Sequence, residues 1–158
     1  MGRRLIIKGA DFSANAVSHS DDYSEMNYGT SKSLWSTATS NTPVLQWGIG
    51  YVSPKTGILD SLNILAAKNG SIEVFVRDPV SGTKKATTNA NVVAGEQTIA
   101  LGELPVNEGE YIMVRASEAG VTKYGNAKGD VPTVTDGIVD RNTPHAFTFQ
   151  FSIIYKED

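Results

Sequence analysis

Residues 58–78 read ILDSLNILAAKNGSIEVFVRD, and the rest of the chain repeats their pattern. Aliphatic and polar side chains alternate on either side of Lys68-Asn69-Gly70. Because successive side chains of a strand point to opposite faces, each arm is predicted to be a strand with one mostly aliphatic face. Asn-Gly tolerates the positive φ angles of a tight turn, so the stretch is predicted to be a β-hairpin. The aliphatic positions are Leu62, Ile64, Ala66, Ile72, Val74 and Val76.

The same alternation recurs along the chain and predicts an all-β fold. Further strands are predicted at residues 5–8, 34–39, 44–52, 84–93, 97–101, 110–116 and 145–155, with a helical turn at 24–27. The last strand has an unbroken apolar face, so a central place in its sheet, beside the first strand, is expected. Roughly eight or nine short strands separated by turns, without a helical period, are typical of an antiparallel sandwich or barrel.

Two long polar segments, at about 10–42 and 117–140, favour one of these architectures. Each is long enough to cross between sheets, so residues 1–158 are predicted to form a single two-sheet β-sandwich of the jelly-roll type. Trp47 and Tyr51 are expected to face its core, and Gly48 and Gly50 to allow close approach on the other face. The predicted core also contains Leu62, Ile64, Ile72, Val74, Ile112, Val114, Phe149 and Phe151.

Composition argues against several classes of function. The chain has 158 residues, enough for one ordinary domain, and 0 cysteines, which removes disulfides, thiolate metal sites and cysteine nucleophiles. The formal net charge is -3 without a basic stripe, so nucleic-acid binding is not expected. No apolar run approaches the roughly 20 residues of a membrane span. The run Leu5-Ile6-Ile7 is too short for the core of a signal peptide.

Large aromatic side chains in the two long segments are the candidate ligand-binding residues. A sugar presents C–H faces and a ring of hydroxyls, so recognition requires a flat exposed side chain beside amide or carboxylate groups. Such a site is predicted at the loop-rich end of the sandwich, because loops on a rigid scaffold carry recognition groups. The alternative is that the same aromatics are buried at the ends of the sandwich. The candidates are Trp35, Tyr23, Tyr28, Tyr124 and Asn27.

Two short motifs resemble catalytic or metal-binding signatures only in part. Residues 9–13, GADFS, resemble the strand-Gly-Asp-Ser opening of SGNH-type esterases, but the Asp-x-x-His pair of those enzymes is absent. An Asx turn is therefore favoured. His19, Asp21 and Asp22 match no calcium or zinc spacing, so a solvated loop is favoured there. His145, at the mouth of the last strand, is interpreted as a strand-end residue.

Pairs of acidic residues are the remaining candidates for catalysis. Glycoside hydrolysis needs two carboxyl groups about 5 to 10 Å apart in a cleft. Glu108 with Glu110, or Asp136 with Asp140, could supply them, although turn acids are usually solvated. No catalytic residue, metal ligand or cofactor is therefore predicted.

Several stretches resemble a known group of β-sandwich modules. Residues 6–17, IIKGADFSANAV, look like the opening of modules associated with gut Bacteroidetes and their phages. The turn-and-strand frames at 57–59, 70–74, 95–99 and 108–112 are similar to jelly-roll modules of phage tail and fibre proteins and of surface glycan-binding proteins. This resemblance covers most of the chain. It implies a binding or structural role and supplies no catalytic residues.

The expected function is that of a non-enzymatic, virion-associated protein of a phage fibre, tail or capsid decoration. Its expected partners are its own copies in a closed homo-oligomer, taken as a trimer, other virion proteins and cell-surface glycan. Without a visible leader, a virion or extracellular surface location is expected. One alternative is a carbohydrate-binding module or lectin of a gut bacterium. Another is an enzyme that assembles its site from the two long segments.

Overall fold

The computed structural model describes residues 23–156 of the chain. These residues contain thirteen β-strands and one 3₁₀ helix. The strands are β1 (Tyr23–Gly29), β2 (Ser40–Asn41), β3 (Ile49–Val52), β4 (Gly57–Ala66), β5 (Gly70–Arg77), β6 (Lys84–Val92), β7 (Gly95–Val106), β8 (Tyr111–Ala116), β9 (Lys123–Lys128), β10 (Thr133–Thr135), β11 (Ile138–Asp140), β12 (His145–Phe147) and β13 (Phe149–Lys156). The 3₁₀ helix spans Lys32–Thr37. The strand expected at 5–8 and the motifs at 9–13 and 19–22 lie outside the described residues.

The strands form two packed antiparallel sheets and a smaller third sheet. Sheet I has the order β1-β13-β4-β7, sheet II the order β11-β10-β3-β8-β5-β6, and sheet III the order β12-β9-β2. Eight strands make up the sandwich itself: β1, β3, β4, β5, β6, β7, β8 and β13. Numbered in chain order, they alternate between the sheets as 1-8-3-6 and 2-7-4-5, which is a jelly roll. The predicted fold class is confirmed. The last strand is central, between β1 and β4.

Strands β4 and β5 correct the expectation of a hairpin at residues 58–78. Strand β4 pairs with β13 and β7, whereas β5 pairs with β6 and β8, so the two arms lie in opposite sheets. Neither Asn69 nor Gly70 has the positive φ that a tight hairpin turn needs. Instead, the Ala67 amide donates to the Val121 carbonyl (2.9 Å) and the Asn69 side chain accepts from the Ala94 amide (2.9 Å). These contacts hold residues 67–69 in place as the segment that crosses from sheet I to sheet II.

The aliphatic faces of β4 and β5 therefore meet across the core instead of side by side. All eight residues predicted for the core between the sheets are buried, and Tyr51 is buried with them. Trp47 is the exception, because it packs against a second cluster on the outer face of sheet II, around Phe75, Met113 and Val134. Strand β3 begins only at Ile49. Gly48 has a φ of 77°, which breaks the alternation of faces between Trp47 and Ile49.

The two segments expected to be long loops contain most of the additional strands. The predicted helical turn at 24–27 is wrong, because β1 pairs along its whole length with β13. The predicted edge strand at 34–39 is also wrong, because Lys32–Thr37 is the 3₁₀ helix, in which the Leu34 amide donates to the Ser31 carbonyl (2.9 Å). At 24–27 strand pairing with β13 overrides local propensity, whereas at 32–37 the chain forms local 3₁₀ hydrogen bonds and pairs with no strand. Among residues 23–156, no helix is long and apolar enough to cross a membrane.

Candidate functional site

A cleft of about 470 Å³ opens between sheet III and the β10–β11 hairpin. It lies at the end of the sandwich where β13 begins. Its lining combines apolar side chains with a histidine, two carboxylates and hydroxyls, as small-molecule sites commonly do. Ile138, on the hairpin, is 74% exposed at the rim. The lining residues are Thr42, Pro43, Leu45, Ile49, Tyr124, Thr135, Asp136, Ile138, Asp140, His145 and Phe147.

Tyr124 and His145 form the aromatic wall of the cleft. They lie on the neighbouring strands β9 and β12, with ring centroids 5.8 Å apart and an angle of 78° between the planes. The Nδ1 atom of His145 lies 3.3 Å from the carbonyl oxygen of Gly125. When Nδ1 carries the proton and donates it there, Nε2 is left as an acceptor. Both side chains are partly exposed, so a ligand can contact them without a rearrangement of the sheet.

Asp140 supplies a carboxylate to the opposite wall. Its Oδ1 atom accepts hydrogen bonds from the amides of Thr143 (2.9 Å) and Asn142 (3.1 Å). The Thr143 bond is the main reason why the pKa of Asp140 is lowered from its ordinary value. A glycosidase acid needs a raised pKa, so this carboxylate suits a hydrogen-bond acceptor better than a proton donor.

Asp136 holds the hairpin wall in place. Its carboxylate accepts from the Trp47 amide (2.6 Å), and its own amide donates to the Gly48 carbonyl (2.9 Å). A Cβ on Gly137 would lie 2.5 Å from the Trp47 ring, so the turn is in close contact with the indole. The Arg77 guanidinium lies on the ring, 4.2 Å from its centre. Trp47 therefore positions one wall of the cleft.

In the other pair of acids considered for catalysis, Glu108 with Glu110, one residue has a structural role. Glu110 is buried, and its carboxylate accepts from the Asn107 amide (2.7 Å) and from Lys85 (2.6 Å). It thereby fixes the turn before β8. Glu108 is exposed in the same turn, where its amide donates to the Thr56 hydroxyl (2.9 Å). No group of three or more histidines and acidic residues suited to a metal ion occurs among residues 23–156.

The five predicted ligand-binding residues are not brought together, and only Tyr124 lines the cleft. Trp35 is 4% exposed, and its Nε1 atom donates to the Thr30 carbonyl (2.9 Å). Tyr23 is 1% exposed at the far end of β1, about 23 Å from Thr30 at a rise of ~3.3 Å per residue. These two side chains are buried, as the alternative interpretation proposed, and offer no stacking platform.

Tyr28 and Asn27 lie on opposite faces of β1. Tyr28 is half-buried against the core, with its ring edge-on to Tyr51 at 6.2 Å, and burial is the main cause of its raised pKa. Asn27 is exposed opposite Ser152 on β13. Sequence reasoning assigned no binding role to His145 and overlooked Ile138. The Asp136-Gly137 dipeptide was the available signal, because it is a typical hairpin turn and places Ile138 beside the cleft.

Comparison with protein-family models, with curated proteins and with solved structures gives no match. The chemistry of the cleft and the jelly-roll topology are therefore the observations from which a function can be argued. The cleft offers the aromatic ring of Tyr124, apolar contacts at Ile138 and Phe147, the imidazole of His145 and the carboxylate acceptor of Asp140. This combination suits a neutral ligand with apolar faces and many hydroxyl groups.

Proposed function

We propose that the chain is a non-enzymatic structural and binding protein of a phage virion, in a fibre, tail or capsid decoration. In this proposal its cleft contacts cell-surface glycan while other surfaces contact neighbouring virion proteins. The observation that carries the glycan contact is the placement of Tyr124 and His145 opposite Asp140 in one open cleft. The jelly-roll topology agrees with the proposal, because that architecture occurs in viral capsid proteins and in lectins.

The chemistry of the cleft matches the two kinds of contact that a sugar makes. The C–H face of a pyranose can pack on Tyr124 and on the exposed side chain of Ile138. Hydroxyl groups can donate to the Asp140 carboxylate, which its lowered pKa keeps ionised at neutral pH. Charge-assisted hydrogen bonds of this kind are stronger than neutral ones and depend on direction. The cleft therefore supports recognition of a sugar without requiring a reaction.

The alternative, a carbohydrate-binding module or lectin of a gut bacterium, would use the same cleft. The two proposals differ in what the protein assembles with. A virion component is expected to form a closed oligomer, here a trimer, in which symmetry multiplies weak sites. Each site is expected to bind in the millimolar to high micromolar range, or about 4 to 6 kcal/mol. Light scattering that shows a monomer at high concentration would favour the free-standing module.

A glycan array and titration of the wild type against Tyr124→Ala test the cleft directly. We expect the wild type to bind at least one glycan class and Tyr124→Ala to lose that binding with its fold intact, as followed by circular dichroism. Tyr155→Ala is the matched control, because Tyr155 is also partly exposed but lies at the opposite end of β13. Equal binding by wild type and Tyr124→Ala, or no binding by the wild type, would contradict the proposed glycan contact.

A further inference from the structure

A second concave surface lies on the outer face of sheet II. It is a groove of about 510 Å³ across β6, β5 and β8, with the exposed side chain of Val44 at its rim. No aromatic side chain lines it. Recognition in this groove would therefore depend on hydrogen bonds and charge. Its polar lining consists of Ser71, Glu73, Asn89, Asn91, Arg115 and Ser117.

Strand register arranges these polar groups in two parallel rows. Asn89, Glu73 and Arg115 are direct partners across β6, β5 and β8, so their backbones are about 4.8 Å apart from strand to strand. In the second row Asn91 pairs with Ser71, and the Ser71 amide donates to the Ser117 hydroxyl (3.1 Å). The two rows form a polar floor of the groove that is three strands wide.

The amide groups of the two rows are available to a ligand. Asn89 and Asn91 are exposed, and neither side chain hydrogen-bonds another residue in the described part of the chain. Each can donate and accept at once, as hydroxyl groups require. They lie two residues apart on β6 and therefore point to the same face of the sheet. A saccharide lying along the strand could contact both.

Arg115 is the cation that lines the groove, and it forms no ion pair with a carboxylate of residues 23–156. Glu73 is occupied, because its carboxylate accepts from Lys84 (2.7 Å) and from the Thr87 hydroxyl (3.0 Å). The Arg115 guanidinium donates to the Gln46 carbonyl (3.0 Å), and within residues 23–156 no carboxylate forms an ion pair with it. A guanidinium presents five N–H donors in a fork that matches a carboxylate. Glu73, its partner across β5 and β8, is near enough to interact with Arg115 electrostatically, but the two form no ion pair, so guanidinium N–H groups remain for a ligand carboxylate.

We propose that this groove is a second saccharide site, specific for an acidic sugar whose carboxylate binds Arg115 and whose hydroxyl groups bind Asn89 and Asn91. Val44 provides the apolar contact at the rim. The proposal does not depend on glycan binding in the cleft, because the groove lies on the outer face of sheet II and shares no lining residue with the cleft. A site for neutral sugar and a site for acidic sugar on one module would distinguish surface glycans by composition.

Titration of ¹⁵N-labelled protein with a short oligomer of galacturonic acid tests this site, with the methyl ester of the same oligomer as the uncharged control. We expect shifts of the amide signals of β5, β6 and β8, and binding of the acid about tenfold tighter than of the ester. Arg115→Gln should remove that preference, and Arg115→Lys should restore only part of it, because lysine keeps the charge but not the fork.

Two further variants separate the groove from nonspecific attraction and from the cleft. Asn89→Ala should weaken binding several-fold without altering the fold, because its side chain is exposed. Lys55→Gln removes one charge at the other end of the sandwich and should change nothing. Tyr124→Ala should also leave this binding intact. Equal binding of acid and ester, shifts confined to other strands, or no shift at about 10 mM oligomer would overturn the proposal.

Discussion

The hydroxyl of Tyr51 donates a hydrogen bond to the carbonyl oxygen of Phe149 (2.5 Å), and this bond joins the two sheets through the core. Tyr51 lies on β3 of sheet II, and Phe149 begins β13 of sheet I. The same hydroxyl accepts from the amide of Thr30 (3.0 Å). Burial is the main cause of the raised pKa of Tyr51, so the phenol stays protonated and able to donate.

Tyr51→Phe tests this connection. The substitution removes only the hydroxyl and leaves buried backbone groups of Thr30 and Phe149 without that partner. We expect the free energy of unfolding in urea to fall by about 1–3 kcal/mol. Tyr28→Phe is the control, because Tyr28 is half-buried and its hydroxyl has no hydrogen-bond partner among the described residues. Equal losses in the two variants would contradict a special role for the Tyr51 hydroxyl.

Trp35→Ala distinguishes a buried side chain from a ligand platform. The indole is 4% exposed and its Nε1 atom donates to the Thr30 carbonyl. Truncation should therefore destabilise the fold by about 3–5 kcal/mol, the usual cost of removing a buried aromatic side chain. The measurement is the urea midpoint together with glycan binding. A variant with an unchanged midpoint and no glycan binding would instead support the platform that the sequence first suggested.

Periodicity was sufficient to predict the fold class and the core, but not which strands pair. The alternation of Leu62, Ile64, Ile72 and Val74 defines an inward face whether β4 and β5 lie in one sheet or in two. Pairing depends on strands that are distant in sequence. Each strand has room for two neighbours in a sheet, so β4 can pair with both β13 and β7 only because β5 lies in the other sheet. A local turn signal at Asn69 carries no information about those partners.

The candidate site was less predictable than the core, for a related reason. Tyr23, Trp35 and Tyr124 are all aromatic residues within polar segments of the sequence. Only the packing of the folded chain determines which of these side chains is buried. His145 and Asp140 enter the cleft because β12 joins sheet III and β11 extends sheet II. These additional strands are two to six residues long, too short for a period to be read from sequence.

Gly137→Ala tests the turn that holds the cleft wall. Asp136 and Gly137 have φ angles of 52° and 87°, so an alanine at the second position is strained, and its Cβ would lie 2.5 Å from Trp47. We expect a loss of about 1–3 kcal/mol and a change in tryptophan fluorescence. Gly109→Ala is the control, because Gly109 also has a positive φ but nothing within 4 Å of the added Cβ. A larger loss for Gly109 would argue against the Trp47 contact.

Phe149→Ala tests the centre of the core. The ring is fully buried and lies 5.3 Å from Tyr51 and 5.7 Å from Phe147, measured between ring centroids. We expect a loss of about 3–5 kcal/mol in the free energy of unfolding, through lost burial and a residual cavity. Val80→Ala is the control, because Val80 is almost fully exposed and should change stability by less than about 0.5 kcal/mol. A loss below about 1 kcal/mol at Phe149 would place the residue outside the core.

Glu73 links stability to pH on the outer face of sheet II. Partial burial acts to raise its pKa, but hydrogen bonds from Lys84 and Thr87 outweigh it and lower the pKa below the ordinary value of 4.5. A group whose pKa is lowered by folding stabilises the protein above its unfolded pKa. That stabilisation is lost as the pH falls through the lower pKa of the folded state.

Above about pH 4.5 we expect the free energy of unfolding of the wild type to exceed that of Glu73→Gln by its largest amount. This difference between the two proteins should decrease as the pH falls further. Urea denaturation at intervals from neutral to strongly acidic pH measures it. Glu118→Gln is the control, because the Glu118–Lys68 pair is about half exposed and solvent screens its interaction. A difference that is constant with pH, or one that grows as the pH falls, would show that the Lys84 and Thr87 contacts do not stabilise the ionised carboxylate.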